Sequence, residues 1–96
     1  MIASFGDKVT EALFHNENPA QWRRLPREIV RRAAQQLDML NAARSLHDLR
    51  SPPGNRLELL RGDLVGLHSI RVNDQWRIVF RWQGTDALEV RLTDYH

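Results

Sequence analysis

Residues 66–93 read GLHSIRVNDQWRIVFRWQGTDALEVRLT, and the alternation inside this stretch decides the fold. Apolar residues return at every second position, which is the period of a half-buried strand. Asn73-Asp74 breaks the pattern at hairpin length with two residues that tolerate positive φ, and Gln83-Gly84-Thr85-Asp86 breaks it again as a longer turn. Strands are expected over 66–72, 75–82 and 87–93, joined as an antiparallel meander, with one more over 56–60. Residues of one parity share a sheet face. Trp76, Ile78, Phe80 and Trp82 fall together, as do Leu88, Val90 and Leu92, and His68, Ile70 and Val72 take one parity of their own strand; these sets are the expected core side. The other side collects Arg71, Arg77, Arg81 and Arg91, with Glu89 among the few acids there. Random surface charge mixes the signs more evenly. Such a face is either a solvated surface or a seat for a polyanion.

Upstream the period changes from 2 to 3.6. Ile29, Ala33, Leu37 and Leu40 form one stripe of a helix over about 26–43, with Arg27, Arg31, Arg32, Gln35 and Asp38 on its solvent side. Asp7 is an expected N-cap for a first helix over about 7–14. Another helix is expected to begin near Pro19-Ala20-Gln21-Trp22. Residues 1–5 read as a short edge strand, and Ser45 to Leu49 as a further helical turn. Ser51-Pro52-Pro53-Gly54-Asn55 stops regular structure before the sheet begins. Helices covering one face of an antiparallel sheet make an α+β domain, and 96 residues suffice for one such unit, over 1–96.

Composition narrows the function. The chain is 42% hydrophobic and 27% charged, which is globular rather than disordered. It has no cysteine, so disulfides and thiolate metal sites are excluded, and a cytoplasmic setting is expected. The first residues lack the basic start and long apolar run of a signal peptide, and no stretch approaches a membrane span. Of fourteen basic residues only Lys8 is not Arg, and Arg suits bidentate phosphate contacts. The four His, at positions 15, 47, 68 and 96, are far apart without ligand spacing, so no metal or other cofactor is expected. No phosphate-cradling Gly loop or nucleophile elbow is present. An enzyme built from these residues would rely on acid–base chemistry and Arg electrostatics. RNA cleavage can proceed that way: the 2′-hydroxyl attacks phosphorus, cations stabilise the phosphorane, and an acid protonates the leaving oxygen.

Several blocks carry a specific resemblance. Pro52-Pro53-Gly54-Asn55-Arg56-Leu57-Glu58, Leu60-Arg61-Gly62-Asp63, the run from Gly66 through Arg77 to Phe80, and the terminal Asp94-Tyr95-His96 resemble HigB-type toxins of the RelE/ParE superfamily, in the GraT-like branch. The resemblance spans the chain and is most specific at Ser69–Arg77 and the last three residues. It implies a RelE-like fold, with N-terminal helices on one face of a curved sheet of four to five strands. It implies endonucleolytic cleavage of messenger RNA on the ribosome. Arg71 and Arg77 would clamp phosphate and stabilise the transition state. His96 would be the general acid or base, with Asp94 and Tyr95 orienting it or stacking on a base. Arg61 stands where relatives often carry a catalytic Lys. Its guanidinium stays charged at neutral pH and can only stabilise charge, so a weak nuclease is expected. Glu58 stands where some relatives carry a His; it could be a base, though an Arg-rich site favours its charged form, and with Arg81 and Arg91 it would be a peripheral RNA or ribosome contact.

The implied partners are a helix-turn-helix antitoxin of the HigA kind, the ribosome and its mRNA. Operator DNA would be met only through the toxin–antitoxin complex, and no membrane is involved. Two other readings stay open at this point. ParE-type relatives inhibit DNA gyrase by binding, which needs no His96. A weak toxin acting mainly as antitoxin corepressor needs no catalytic face at all.

Overall fold

The computed structural model of the chain describes residues 1–17, 23–62 and 66–94. Helix α1 (Lys8–Phe14) begins where Asp7 accepts a hydrogen bond from the Thr10 backbone N–H at 2.8 Å, the expected cap. Helix α2 (Arg27–Ala42) starts directly after Pro26, whose missing N–H costs nothing at a helix entrance. It buries Ala33, Leu37 and Leu40 from the expected stripe, and also Gln36. Two short 310 turns, Leu46–Arg50 and Pro53–Asn55, lead into the sheet. The helical reading near Pro19 and Trp22 falls outside the described residues.

Four antiparallel strands follow in the order β1-β2-β3-β4: β1 (Glu58–Leu59), β2 (Leu67–Arg71), β3 (Trp76–Gln83) and β4 (Asp86–Asp94). The meander is as expected, and each hairpin turns where Asn73-Asp74 and Gly84 predicted. Strand β1 is shorter than the expected 56–60. Arg56 sits in the left-handed region at φ 44° and cannot join a ladder, and the Asn55 side chain is buried. The core lies between the sheet and the helices. Leu37, Leu40, Ile70, Val72, Ile78, Phe80 and Val90 are fully buried there.

One expectation fails inside β4. Val79 pairs with Arg91, but Arg81 pairs with Leu88, so β4 carries one extra residue across from β3. This β-bulge shifts the parity of everything before it. Ala87, and not Leu88, therefore enters the core, while Leu88 moves to the Arg side opposite Arg81. Glu89 takes the left-handed conformation at φ 54° that such a bulge needs. No glycine stands there to announce it.

The N-terminal segment closes the free edge of β4, as the edge-strand reading expected, in parallel bridges Ile2↔Ala87 and Phe5↔Val90. The displaced Glu89 N–H donates to Ser4 Oγ at 2.9 Å, and the Leu92 N–H donates to Thr10 Oγ1 at 2.9 Å. The approach is so close that a Cβ on Gly6 would lie 2.9 Å from the Glu89 carbonyl oxygen. Gly6→Ala is expected to destabilise the domain by about 1–3 kcal/mol through this overpacking. Thermal unfolding checks it, and an unchanged midpoint would mean that the edge closure is loose.

Candidate nucleic-acid interface

Cross-strand register brings the arginines to one face. Arg71 of β2 stands directly opposite Arg77 of β3. Arg91 stands opposite Val79, and Arg81 lies between Leu67 and Leu88. Glu58 is opposite Ser69, so it shares this face. Leu60, Leu67 and Val79 form a small buried apolar cluster of their own, apart from the main core. The helices pack on the other side.

Two like charges directly opposite on a sheet repel, and a fold tolerates them only with counter-charge. The Arg71 guanidinium is ion-paired and hydrogen-bonded to Asp74 in the hairpin turn. Arg77 Nη1 lies 3.9 Å from Glu58 Oε2, and Arg81 Nε lies 3.4 Å from Glu89 Oε2. The expectation of few acids is thus corrected: three of the four arginines meet a carboxylate. These acids come from a turn, from the edge strand and from the bulge, and alternation placed only Glu89 among them on this face. The pairing is lopsided. The side chains of Arg71 and Arg77 are 23% and 15% exposed, whereas those of Asp74 and Glu58 are 98% and 52% exposed. Ion pairs with exposed partners contribute about 0–1 kcal/mol. An incoming phosphate, accepting from a guanidinium fork in bidentate fashion, competes well with such a carboxylate.

The position of Arg71 is set from the helix side. Gln36 Nε2 donates to the Arg71 carbonyl oxygen at 2.7 Å and to Asn55 Oδ1 at 3.4 Å, and Asn55 Nδ2 donates to the Leu49 carbonyl at 3.1 Å. Buried polar groups are costly unless bonded, so this chain ties α2 and the 310 turns to the end of β2. The sequence reading missed Gln36. Its signal was available, because it lies on the buried flank of the stripe, three residues after Ala33 and four before Leu40.

The other anticipated site residues are less concentrated. Arg61 is exposed just beyond β1 and makes no ion pair among the described residues. Asp94 pairs with Trp76, so it has the parity of the core side and not of Arg77, whose partner is Thr93. Gln75 Nε2 donates to Asp94 Oδ2 at 3.2 Å. Its shared parity with Leu92 was legible in the sequence. Tyr95 and His96 lie outside the described residues. Among the described residues no cluster of three or more His, Asp or Glu stands within reach of one metal ion.

His68 leans to the core side as its parity suggested, with its ring stacked on Phe80 at 5.9 Å. Burial pushes its pKa below the ordinary value, because the charged imidazolium is penalised there. The neutral form is thus native, and the unfolded chain takes up the proton first, near about pH 6.5. This group's share of stability is complete above that pH and is lost as pH falls through the lower folded value. His68→Phe is expected to flatten the fall in melting temperature between about pH 7 and 5. An unchanged slope would remove His68 from the acid response.

Comparison with known proteins bears on the family and the fold. The profile of a family described as RelE-like toxin of type II toxin-antitoxin system HigB matches residues 3–96. The chain is 41% identical over 92 residues to Toxin HigB-1 of Vibrio cholerae, covering 96% of this chain and 95% of that one. It is 31% identical over 96 residues to Endoribonuclease HigB of Proteus vulgaris, covering both completely. Among solved structures, a chain of the YoeB-YefM complex from Staphylococcus aureus superposes with a TM-score of 0.62 at 14% identity, over 100% of this chain and 98% of that one. The YoeB/ParE toxin from Agrobacterium tumefaciens gives 0.58 at 16%, over 100% of each chain. At such identities the likeness is one of fold.

Proposed function

The chain belongs to the RelE-like HigB toxins of type II toxin-antitoxin systems, and from that premise we propose that it is an endoribonuclease that cuts messenger RNA on the ribosome in the cytoplasm. The observation that carries the reading is the Arg71–Arg77 cross-strand pair: two guanidiniums, largely buried, opposed on a sheet face, with exposed carboxylates as their counter-charge. The name Endoribonuclease HigB of the Proteus relative supports the same activity.

In this mechanism the scissile phosphate displaces Asp74 and Glu58 from the guanidiniums and lies between Arg71 and Arg77. The 2′-oxygen of the preceding ribose attacks phosphorus as its proton passes to a base. Glu58, freed beside Arg77, is the carboxylate assigned that role. The guanidiniums neutralise the extra negative charge of the phosphorane, which is where preorganised donors act most strongly. The bond to the 5′-oxygen then breaks, and His96 supplies the proton that the leaving oxygen takes up. The products are a 2′,3′-cyclic phosphate and a 5′-hydroxyl. Arg81 and Arg91 extend the positive face along the RNA backbone, and Arg61 adds charge beyond β1. An antitoxin partner restrains the activity.

Mapping of 5′ ends on a translated mRNA, with purified protein and with or without ribosomes, tests the proposal. New ends that require ribosomes and vanish in His96→Ala are expected. Intact transcripts under conditions where the protein arrests growth would overturn it, and would favour inhibition by binding.

A further inference from the structure

The side of the sheet away from the arginine pair carries a second feature. At the β1 edge, a cavity of about 470 Å³ opens between the 310 turns and the start of the sheet. Its lining mixes leucines with polar groups. Leu59 of β1 and His68 of β2 are register partners on this side, with Leu46 and Leu57 beside them. Leu59 is 63% exposed, one of two large apolar side chains so exposed among the described residues. The rim is cationic. Arg50 and Arg56 line it, and neither meets a carboxylate within ion-pair distance among the described residues. Arg56 is held in a left-handed conformation that long side chains rarely adopt. The two sheet edges also differ. The N-terminal segment covers β4, whereas β1 is the outermost strand at the other edge.

We propose that this cavity is the docking point for an antitoxin segment that places an apolar side chain against Leu59 and His68 and acidic side chains against Arg50 and Arg56. The inference rests on the toxin–antitoxin reading above. An apolar seat with an arginine rim is the anatomy of a protein interface. A nucleic-acid backbone would use the cations but would leave the exposed Leu59 without a partner. Because Leu59 and His68 have the opposite parity to Ser69 and Arg71, the occupant leaves the Arg71–Arg77 face uncovered. Antitoxin binding and RNA cleavage therefore answer to different residues.

Calorimetric titration of the full-length toxin with the purified antitoxin encoded beside it tests this, with cleavage of a translated mRNA measured in parallel. Arg50→Glu/Arg56→Glu is expected to weaken antitoxin binding by about 100-fold or more, since each reversal leaves a desolvated charge facing its like. Its cleavage rate stays within about twofold of wild type. Leu59→Ser, a change at an exposed side chain that the fold does not need, weakens binding by roughly tenfold. Arg77→Ala loses cleavage and binds the antitoxin as wild type does. Wild-type affinity in both the charge-reversed and the Leu59 variants would overturn the proposal. So would a charge-reversed protein that keeps the antitoxin but loses cleavage, which would give the cavity to RNA. A wild-type toxin that cuts RNA but binds no antitoxin would defeat this inference and leave the nuclease reading standing. One that binds the antitoxin through Arg50 and Arg56 but cuts nothing would do the reverse.

Discussion

Arg77→Ala is expected to lower the single-turnover rate of mRNA cleavage by about 10²–10³-fold, the usual loss when one preorganised donor to a developing oxyanion is removed. The side chain is positioned for that role. It is 15% exposed, lies between Trp76 and Ile78 on the central strand β3, and stands opposite Arg71. Its counter-ion Glu58 is half exposed and sits 3.9 Å away, so the native fold gains little from the pair. The variant loses the packing of a largely buried stem but should remain folded at the assay temperature while losing activity. Arg77→Lys keeps the charge but not the planar fork, and should retain an intermediate rate. Full activity in Arg77→Ala, or a loss matched by unfolding, would contradict the assignment.

Phe80→Ala is expected to cost about 3–5 kcal/mol of folding free energy. Domains of this kind hold only ~5–15 kcal/mol in total, so the variant would lose a large share of its stability margin. Phe80 is the largest fully buried side chain. Its ring stacks on His68 and meets Trp82 edge-on at 6.4 Å. It also lies between Val79 and Arg81, whose side chains face the other side of the sheet. Losing the ring removes the support under β3, and the arginine face should fail with it. Urea unfolding measures the cost. A loss below about 1 kcal/mol would mean that the core is not centred on β3.

How much of this could be read from the chain follows from what alternation encodes. The α2 stripe, the two hairpins and the shared face of Arg71, Arg77, Arg81 and Arg91 came directly from periods of 3.6 and 2. The bulge did not. Glu89 is not a glycine, and only the N-terminal segment, with Ser4 bonding the displaced N–H and Gly6 allowing the approach, makes the left-handed residue tolerable there. Leu88 was misplaced for that reason. Asp74 and Glu58 escaped because they reach the arginines from a turn and from another strand, where single-strand parity is silent; parity did place Glu89 on this face. Gln36 and Asn55 escaped because buried amides look polar in sequence, and their value appears only when the Arg71 carbonyl arrives as their partner. The family resemblance named residues on which periodicity is silent, Tyr95 and His96 among them, and these two lie outside the described residues.

The claim on which the account turns is that the arginine pair promotes attack by the neighbouring 2′-hydroxyl. A ribosome-bound messenger with one 2′-deoxynucleotide on the 5′ side of the cleaved bond examines that step directly. Cleavage at that bond should disappear while toxin binding persists, and unmodified messenger should yield 2′,3′-cyclic phosphate and 5′-hydroxyl ends. Undiminished cutting of the deoxy-substituted bond, or 5′-phosphate products, would contradict it.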